Sequence, residues 1–103
     1  MNFSESAKNI FETGFSRLFS FQEMMKNSRA LIAYSGGKDS LFLLNFFYYL
    51  FEAGRIPEPI VFHLNHQIRE NSIEENQIVE FIRKNYNLEF YCKKKTFLLY
   101  PDA

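Results

Sequence analysis

A short apolar run, Ala30-Leu31-Ile32-Ala33-Tyr34, halts at Ser35-Gly36-Gly37-Lys38-Asp39-Ser40, and a second apolar stretch, Leu41 to Ala53, follows at once. No other segment constrains the fold as much. Five apolar residues ending at a Gly pair describe a buried strand running into a tight turn. The stretch after the turn is apolar on nearly every side, as a helix is when pressed between a sheet and other elements. Gly54 supplies its stop, because glycine takes a left-handed C-terminal turn at least cost.

The strand and helix predict a second strand, and the sequence provides one. Pro57 and Pro59 mark a connection, and Ile60 to Leu64 carries β-branched and aromatic residues on both faces. Ser72 with Glu75 forms a capping box, which opens a helix from about Ile73 to Tyr86 with the stripe Ile78, Phe81, Ile82 and Tyr86. Leu88 to Cys92 is the third strand. Strand, helix, strand, helix, strand implies parallel strands joined by right-handed crossovers: an α/β fold with a three-layer, Rossmann-like parallel sheet. Ahead of it, Ala7, Ile10, Phe11, Phe15, Leu18 and Phe19 recur at three- and four-residue spacing, so Phe3 to Phe21 is expected to be one amphipathic helix covering the sheet edge. Thr96 to Ala103 carries no helical stripe and brings no element to cover the sheet on both sides, so the sheet is expected to be incomplete and the chain truncated.

Composition narrows the function. Twelve Lys and Arg balance twelve Asp and Glu, so no uniformly basic surface exists to hold nucleic acid by charge alone. Cys92 is the single cysteine, which excludes an internal disulfide and a self-built zinc or iron-sulfur site, and fits a reducing, cytoplasmic setting. Glu5 and Glu12 interrupt the N-terminal apolar residues where a signal peptide would be continuous. Leu41 to Phe51, broken by Asn45, is about half of the roughly 20 residues that a bilayer span needs, so no membrane partner is expected.

The hexapeptide carries the chemistry. It lies at the carboxyl end of a strand, where open α/β sheets bind ligands. Two glycines let backbone N–H groups approach an anion, and the helix starting near Asp39 aims its positive end at the same place. Ser35 and Ser40 add hydroxyl donors, Asp39 is a hard oxygen ligand suited to magnesium, and Lys38 adds charge or is simply solvated. The bland alternative is a Gly-Gly turn with a Ser or Asp helix cap. A kinase-type phosphate loop is excluded, since Ile32 stands where its first glycine belongs and Asp39 follows Lys38 directly.

The hexapeptide resembles Ser-Gly-Gly-x-Asp-Ser, the pyrophosphate loop of the ATP pyrophosphatase (PP-loop) superfamily, whose fold is adenine nucleotide alpha hydrolase-like. Its members cleave ATP between the α and β phosphates. His63-Leu64-Asn65-His66-Gln67-Ile68-Arg69, followed by Glu70, Ser72 and Glu75, resembles the tRNA(Ile)-lysidine synthetase family, over about Arg29 to Tyr91. The resemblance implies ligation of free lysine to carbon 2 of the wobble cytidine in an isoleucine tRNA with a CAU anticodon, ATP being split to AMP and pyrophosphate through an adenylated intermediate. By position, Ser35, Gly36, Gly37, Lys38, Asp39 and Ser40 would hold pyrophosphate and magnesium, with Asp39 the metal ligand. Asn65 and His66 would line the nucleotide site, and Asp39 and Arg69 would be catalytic. The domain expectation is an N-terminal helical extension over 1–28 and the first part of a PP-loop domain over 29–103.

Each residue has a plainer reading. His63, inside an apolar strand, is as readily a satisfied core histidine; Arg69 can be solvated; Asn65 and His66 can cap a turn; and Lys93-Lys94-Lys95 is a solvated strand end rather than a tRNA grip. The family continues with further strands, a downstream His- and Asp-containing motif and carboxyl-terminal tRNA-holding domains, so a piece of this kind is expected to lack full activity. Rival readings are a tRNA thiolase, which brings paired cysteines where Cys92 stands alone; an amidating synthetase, which lacks the His-x-Asn-His-x-x-Arg segment; and a non-catalytic remnant. Oligomeric state stays open, a homodimer being one reading.

Overall fold

The computed structural model describes residues 2–65 and 72–94, and the side chains within 2–63 and 76–92. Helix α1 (Glu5–Arg17) leads through a 3-10 turn at Phe19–Phe21 to α2 (Gln22–Asn27). There follow β1 (Leu31–Ala33), α3 (Lys38–Glu52), β2 (Ile60–Asn65), α4 (Ser72–Asn85) and β3 (Glu89–Lys94). The three strands are parallel in the order β1-β2-β3, with Ile32 opposite Val61 and Val61 opposite Phe90. This is the expected α/β alternation. β1 is shorter than its apolar run, yet the run's ends still pair: Ile60 N–H donates to Ala30 O (2.8 Å) and Tyr34 N–H to Phe62 O (2.9 Å).

One face of the sheet is packed. Ile32 and Val61 meet Leu44 and Tyr48 of α3 and Ile82 and Tyr86 of α4 in a single buried cluster, so both crossover helices lie on the same face. Tyr48 and Tyr86 join the two helices edge to face, and the Tyr86 hydroxyl donates to Asn45 Oδ1. Burial, with the charges of Tyr34 and Tyr48 behind it, pushes the Tyr86 phenol up to about 12. Residues of the other parity are less buried: Leu31 (68%) and Tyr91 (53%) are exposed, and Ile60 and Phe62 are half-buried. Among the described residues, then, the second face has no covering layer.

Helix α3 is apolar all round because it serves two cores. Leu44 and Tyr48, four residues apart, face the sheet; Phe46 and Leu50, also four apart, face α1 in a second cluster with Phe11, Phe15 and Ile56. Its end is a Schellman turn: Arg55 N–H reaches Leu50 O and Gly54 N–H reaches Phe51 O, both at 2.9 Å, with Gly54 at φ +76°.

The N-terminal expectation needs correction. Phe3 to Phe21 is not one helix, and its buried residues pack on α3. Ser4 caps α1 by accepting from Ala7 N–H (3.1 Å), the helix stops at Arg17, and the Gln22 side chain closes the end by donating to Phe15 O (2.9 Å). Only Phe11 and Phe15 of the stripe are buried, against α3; no strand residue belongs to their cluster. Ile10 (58% exposed) and Phe19 (76%) point away, because contact with one helix needs a narrower stripe than contact with a sheet. Glu12 fastens the pair, accepting from the Tyr49 hydroxyl (2.6 Å) and from Arg55 (2.7 Å). No helix among the described residues is long and apolar enough to cross a membrane.

Candidate functional site

The hexapeptide joins β1 to α3. The helix begins at Lys38, with Gly37 as an extended N-cap (φ −88°, ψ 174°), one residue before the expected start near Asp39. Leu41 N–H bonds Gly37 O (3.0 Å), the first helical bond. Lys38, Asp39 and Ser40 therefore form the first turn, where amide groups have no partner within the helix.

The two glycines do different work. Gly36 has φ +96°, in the left-handed region, and a Cβ there would meet Ile78 Cδ1 at 3.1 Å. It is glycine for conformation and for space. At Gly37, by contrast, φ is ordinary for any residue and a Cβ would meet only Ser35 Oγ, at 3.5 Å.

The serines lock the turn. Ser35 N–H donates to Ser40 Oγ (3.1 Å), Gly37 N–H donates to Ser35 Oγ (3.2 Å), the hydroxyls are 3.0 Å apart, and Ser40 Oγ donates to Gly37 O (3.1 Å). Each hydroxyl has one proton. Ser40 spends its own on Gly37 O, so Ser35 must donate to Ser40, and all four contacts are satisfied together. The loop is exposed from Ser35 to Asp39, with Ser40 half-buried beneath it. The amides of Lys38, Asp39 and Ser40, which precede the first helical bond, and the exposed Asp39 stand at a helix N-terminus, an arrangement that attracts an anion and can hold a cation carried on it.

Beside the loop lies an open hollow of about 360 Å³, lined by Tyr34, Gln77, Ile78 and Phe81. Sequence periodicity assigns Ile78 and Phe81 to a helix stripe and does not single out Gln77. Their place next to the loop follows from how α4 packs, which no spacing along the chain records. Tyr34 is buried beneath, and that burial raises its phenol above the ordinary value.

The structure thus brings Ser35, Gly36, Gly37, Lys38, Asp39 and Ser40 together at one sheet end. Asn65, the last residue of β2, is opposite Lys94 at that same end. His66 and Arg69 lie outside the described residues, as do the side chains of the Ser72–Glu75 capping box. His63 is buried, and its Nδ1 is 2.7 Å from Tyr34 O. Cys92 is exposed, and no group of three or more His, Cys, Asp or Glu is placed to hold a metal among the described residues.

Comparison with known families matches residues 7–97 to the PP-loop domain. The chain belongs to the PP-loop domain family. Its match takes in nearly all of α1, so the helix that packs on α3 is part of the PP-loop domain match. Among curated proteins, the PP-loop chain is 39% identical over 92 residues to a tRNA(Ile)-lysidine synthase of Leptospira interrogans serogroup Icterohaemorrhagiae serovar copenhageni, which spans 89% of this chain and 21% of that protein. It is 35% identical over 69 residues to the tRNA(Ile)-lysidine synthase of Persephonella marina (67% of this chain, 15% of that protein). With the tRNA(Ile)-lysidine synthase of Lactobacillus johnsonii, identity is 32% over 83 residues (77% and 18%). The PP-loop chain thus spans about a fifth of the length of the curated relatives it matches.

Proposed function

We propose that this PP-loop chain is the ATP-binding part of an enzyme that joins lysine to carbon 2 of the wobble cytidine of an isoleucine tRNA with a CAU anticodon. The observation that carries the reading is the locked Ser35–Ser40 turn, which holds the first-turn amides of α3 towards a pyrophosphate group at the sheet's carboxyl end. The names of the relatives, tRNA(Ile)-lysidine synthase, support tRNA(Ile) as the substrate.

In this reading the cytidine carbonyl oxygen attacks the α-phosphorus of ATP and pyrophosphate leaves. An amine of lysine then displaces AMP at carbon 2. Amides of the first helical turn, held in place by the Ser35 and Ser40 hydroxyls, bind the leaving pyrophosphate and stabilise the charge it gains, a role that donors aimed before the reaction perform best. Lys38, exposed at the first turn, adds a charge near the same anion. Magnesium fits the donor set: Asp39 contributes one carboxylate, and a magnesium ion on phosphates commonly takes only one or two from the protein. Bound there, it would neutralise phosphate charge and so favour departure of pyrophosphate. Arg69 is assigned to charge on the transferring phosphoryl group, and Asn65 and His66 to the nucleotide.

The test has two stages. Calorimetric titration of the 103-residue chain with ATP and magnesium is expected to show binding that inorganic pyrophosphate competes away. Labelled lysine is then offered, with ATP, to the full-length polypeptide carrying this sequence and a tRNA transcript with the CAU anticodon. Stoichiometric lysine incorporation and AMP release support the assignment; sulfur incorporation in place of lysine would move it to a thiolase.

A further inference from the structure

His63 is the buried polar side chain in the core of the described residues, 3% exposed on an otherwise apolar strand. A buried imidazole costs free energy unless it is hydrogen-bonded, and an aliphatic residue would fill the place more cheaply. Its bond explains its presence. Nδ1 lies 2.7 Å from Tyr34 O, and a carbonyl oxygen only accepts, so Nδ1 carries the proton. The acceptor belongs to the peptide unit that opens the phosphate loop. On the other side of that unit, Ser35 N–H donates to Ser40 Oγ at 3.1 Å. Both polar atoms of the Tyr34–Ser35 peptide are thereby fixed by side chains, His63 from β2 and Ser40 from α3. Backbone pairing of β1 with β2 runs in register only to Ala33 and Phe62, so His63 holds the chain at the level where that register ends.

We infer that His63 is a positioning residue: it sets the plane of the Tyr34–Ser35 peptide and, through the hydrogen bonds among Ser35, Gly37 and Ser40, the aim of the first-turn amides of α3. The inference rests on the reading that this loop binds phosphate. Were the peptide to rotate, Ser35 N–H would leave Ser40 Oγ, the mutual satisfaction of the two hydroxyls would fail, and Gly37 N–H would lose its fixed acceptor.

The experiment uses the 103-residue chain, with His63→Leu keeping bulk without a donor and His63→Asn returning an amide donor near the Nδ1 position. Two quantities are read: hydrogen exchange at the Ser35 amide, with the Leu50 amide of α3 as control, and affinity for inorganic pyrophosphate with magnesium. Loss of a buried hydrogen bond is expected to raise Ser35 exchange about tenfold relative to Leu50 in His63→Leu and to weaken pyrophosphate by a similar factor. His63→Asn is expected to restore most of both. Unchanged Ser35 exchange in His63→Leu overturns the inference, as does equal acceleration of Ser35 and Leu50 in both variants, which is what a purely structural role gives. Nitrogen-15 NMR of the parent chain decides without any variant, since an unprotonated Nδ1 also overturns it. A loosened Ser35 amide in a chain whose parent binds no pyrophosphate upholds the positioning and removes the phosphate reading instead.

Discussion

The two ends of the parallel sheet are built differently. At the amino end, polar groups are closed off by charged partners: Arg29 donates to Glu58 O (2.8 Å) and to Glu89 Oε1 (2.7 Å), and Glu89 N–H donates to Glu58 Oε2 (2.9 Å). At the carboxyl end, the hydroxyls close on each other and on the backbone of their own turn, while the first-turn amides have no helical partner and Asp39 is exposed. The same backbone that needs partners at one end thus lacks them at the other. Open α/β sheets bind ligands at the carboxyl end because the loops there lead into helix N-termini, which favour anions. The amino end is expected to govern stability, and the carboxyl end binding.

The largest expected effect is at Asp39. Asp39→Asn keeps the shape but removes the charge that magnesium requires of its ligand, so affinity for ATP with magnesium should fall about a hundredfold or more, ~3 kcal/mol. Stability should fall by no more than about 0.3–1 kcal/mol, the worth of an acidic group in a first helical turn. Titration calorimetry beside urea unfolding checks the split. Unchanged affinity in a folded variant would take Asp39 out of the site and dissolve the contrast between the ends.

Gly36→Val is next, and it is expected to hurt stability and binding together. The left-handed conformation costs a non-glycine residue about 1–2 kcal/mol, and the new Cβ must also push against Ile78 Cδ1 at 3.1 Å. Unfolding free energy should drop by at least that amount. A variant as stable as the parent would show that the loop relaxes freely and that its conformation is not held by α4.

Much of this was legible in the sequence, for a physical reason. Period and punctuation are local signals: an apolar run ended by Gly36-Gly37, a helix stopped by Gly54, and a strand after Pro59 are each set by neighbouring residues, and the structure returns them within a few positions. The hexapeptide's composition likewise announced a turn and a helix start. What the sequence left hidden depends on packing between distant elements. The face of α1 that is buried was decided by Phe46 and Leu50 on α3, so Ile10 and Phe19 could not be separated from Phe11 and Phe15 beforehand. Which glycine of the Gly36-Gly37 pair has positive φ was equally undetermined, and so was the partner of His63, a carbonyl 29 residues away.

Gly37 and Lys38 give a smaller effect that sharpens the carboxyl-end account. Gly37→Val meets no backbone strain and no close atom within the protein, so stability should change by less than about 1 kcal/mol. Binding should suffer more, because a branched side chain stands over the amides that an anion approaches. Lys38→Ala removes a charge that is exposed and screened, so a loss of only a few-fold is expected. Pyrophosphate titration of both variants orders them. A greater loss for Lys38→Ala would mean that side-chain charge, rather than backbone, does the binding.

The smallest expected effect lies at the closed end, in Arg29→Leu. Glu89 has its carboxyl held below the usual range first by the Tyr91 hydroxyl and then by Arg29. A carboxylate with a lowered folded pKa contributes stability that is whole above its ordinary value of 4.5 and is lost as pH falls through the folded value. Removing Arg29 takes away the second cause and leaves the first, so the acid-side loss, which begins near 4.5 in both chains, should be smaller and complete nearer to 4.5, while stability at neutral pH barely moves. Both groups are well exposed, and exposed ion pairs contribute little. Pyrophosphate affinity at neutral pH should stay within about twofold of the parent, since screening over the length of a strand removes any direct influence of Arg29 on the loop. Urea midpoints at pH 7, 5, 4 and 3, beside one titration at pH 7, test both halves. A large loss of affinity would show that the two ends are coupled through the strands, and that the division of labour between them is wrong.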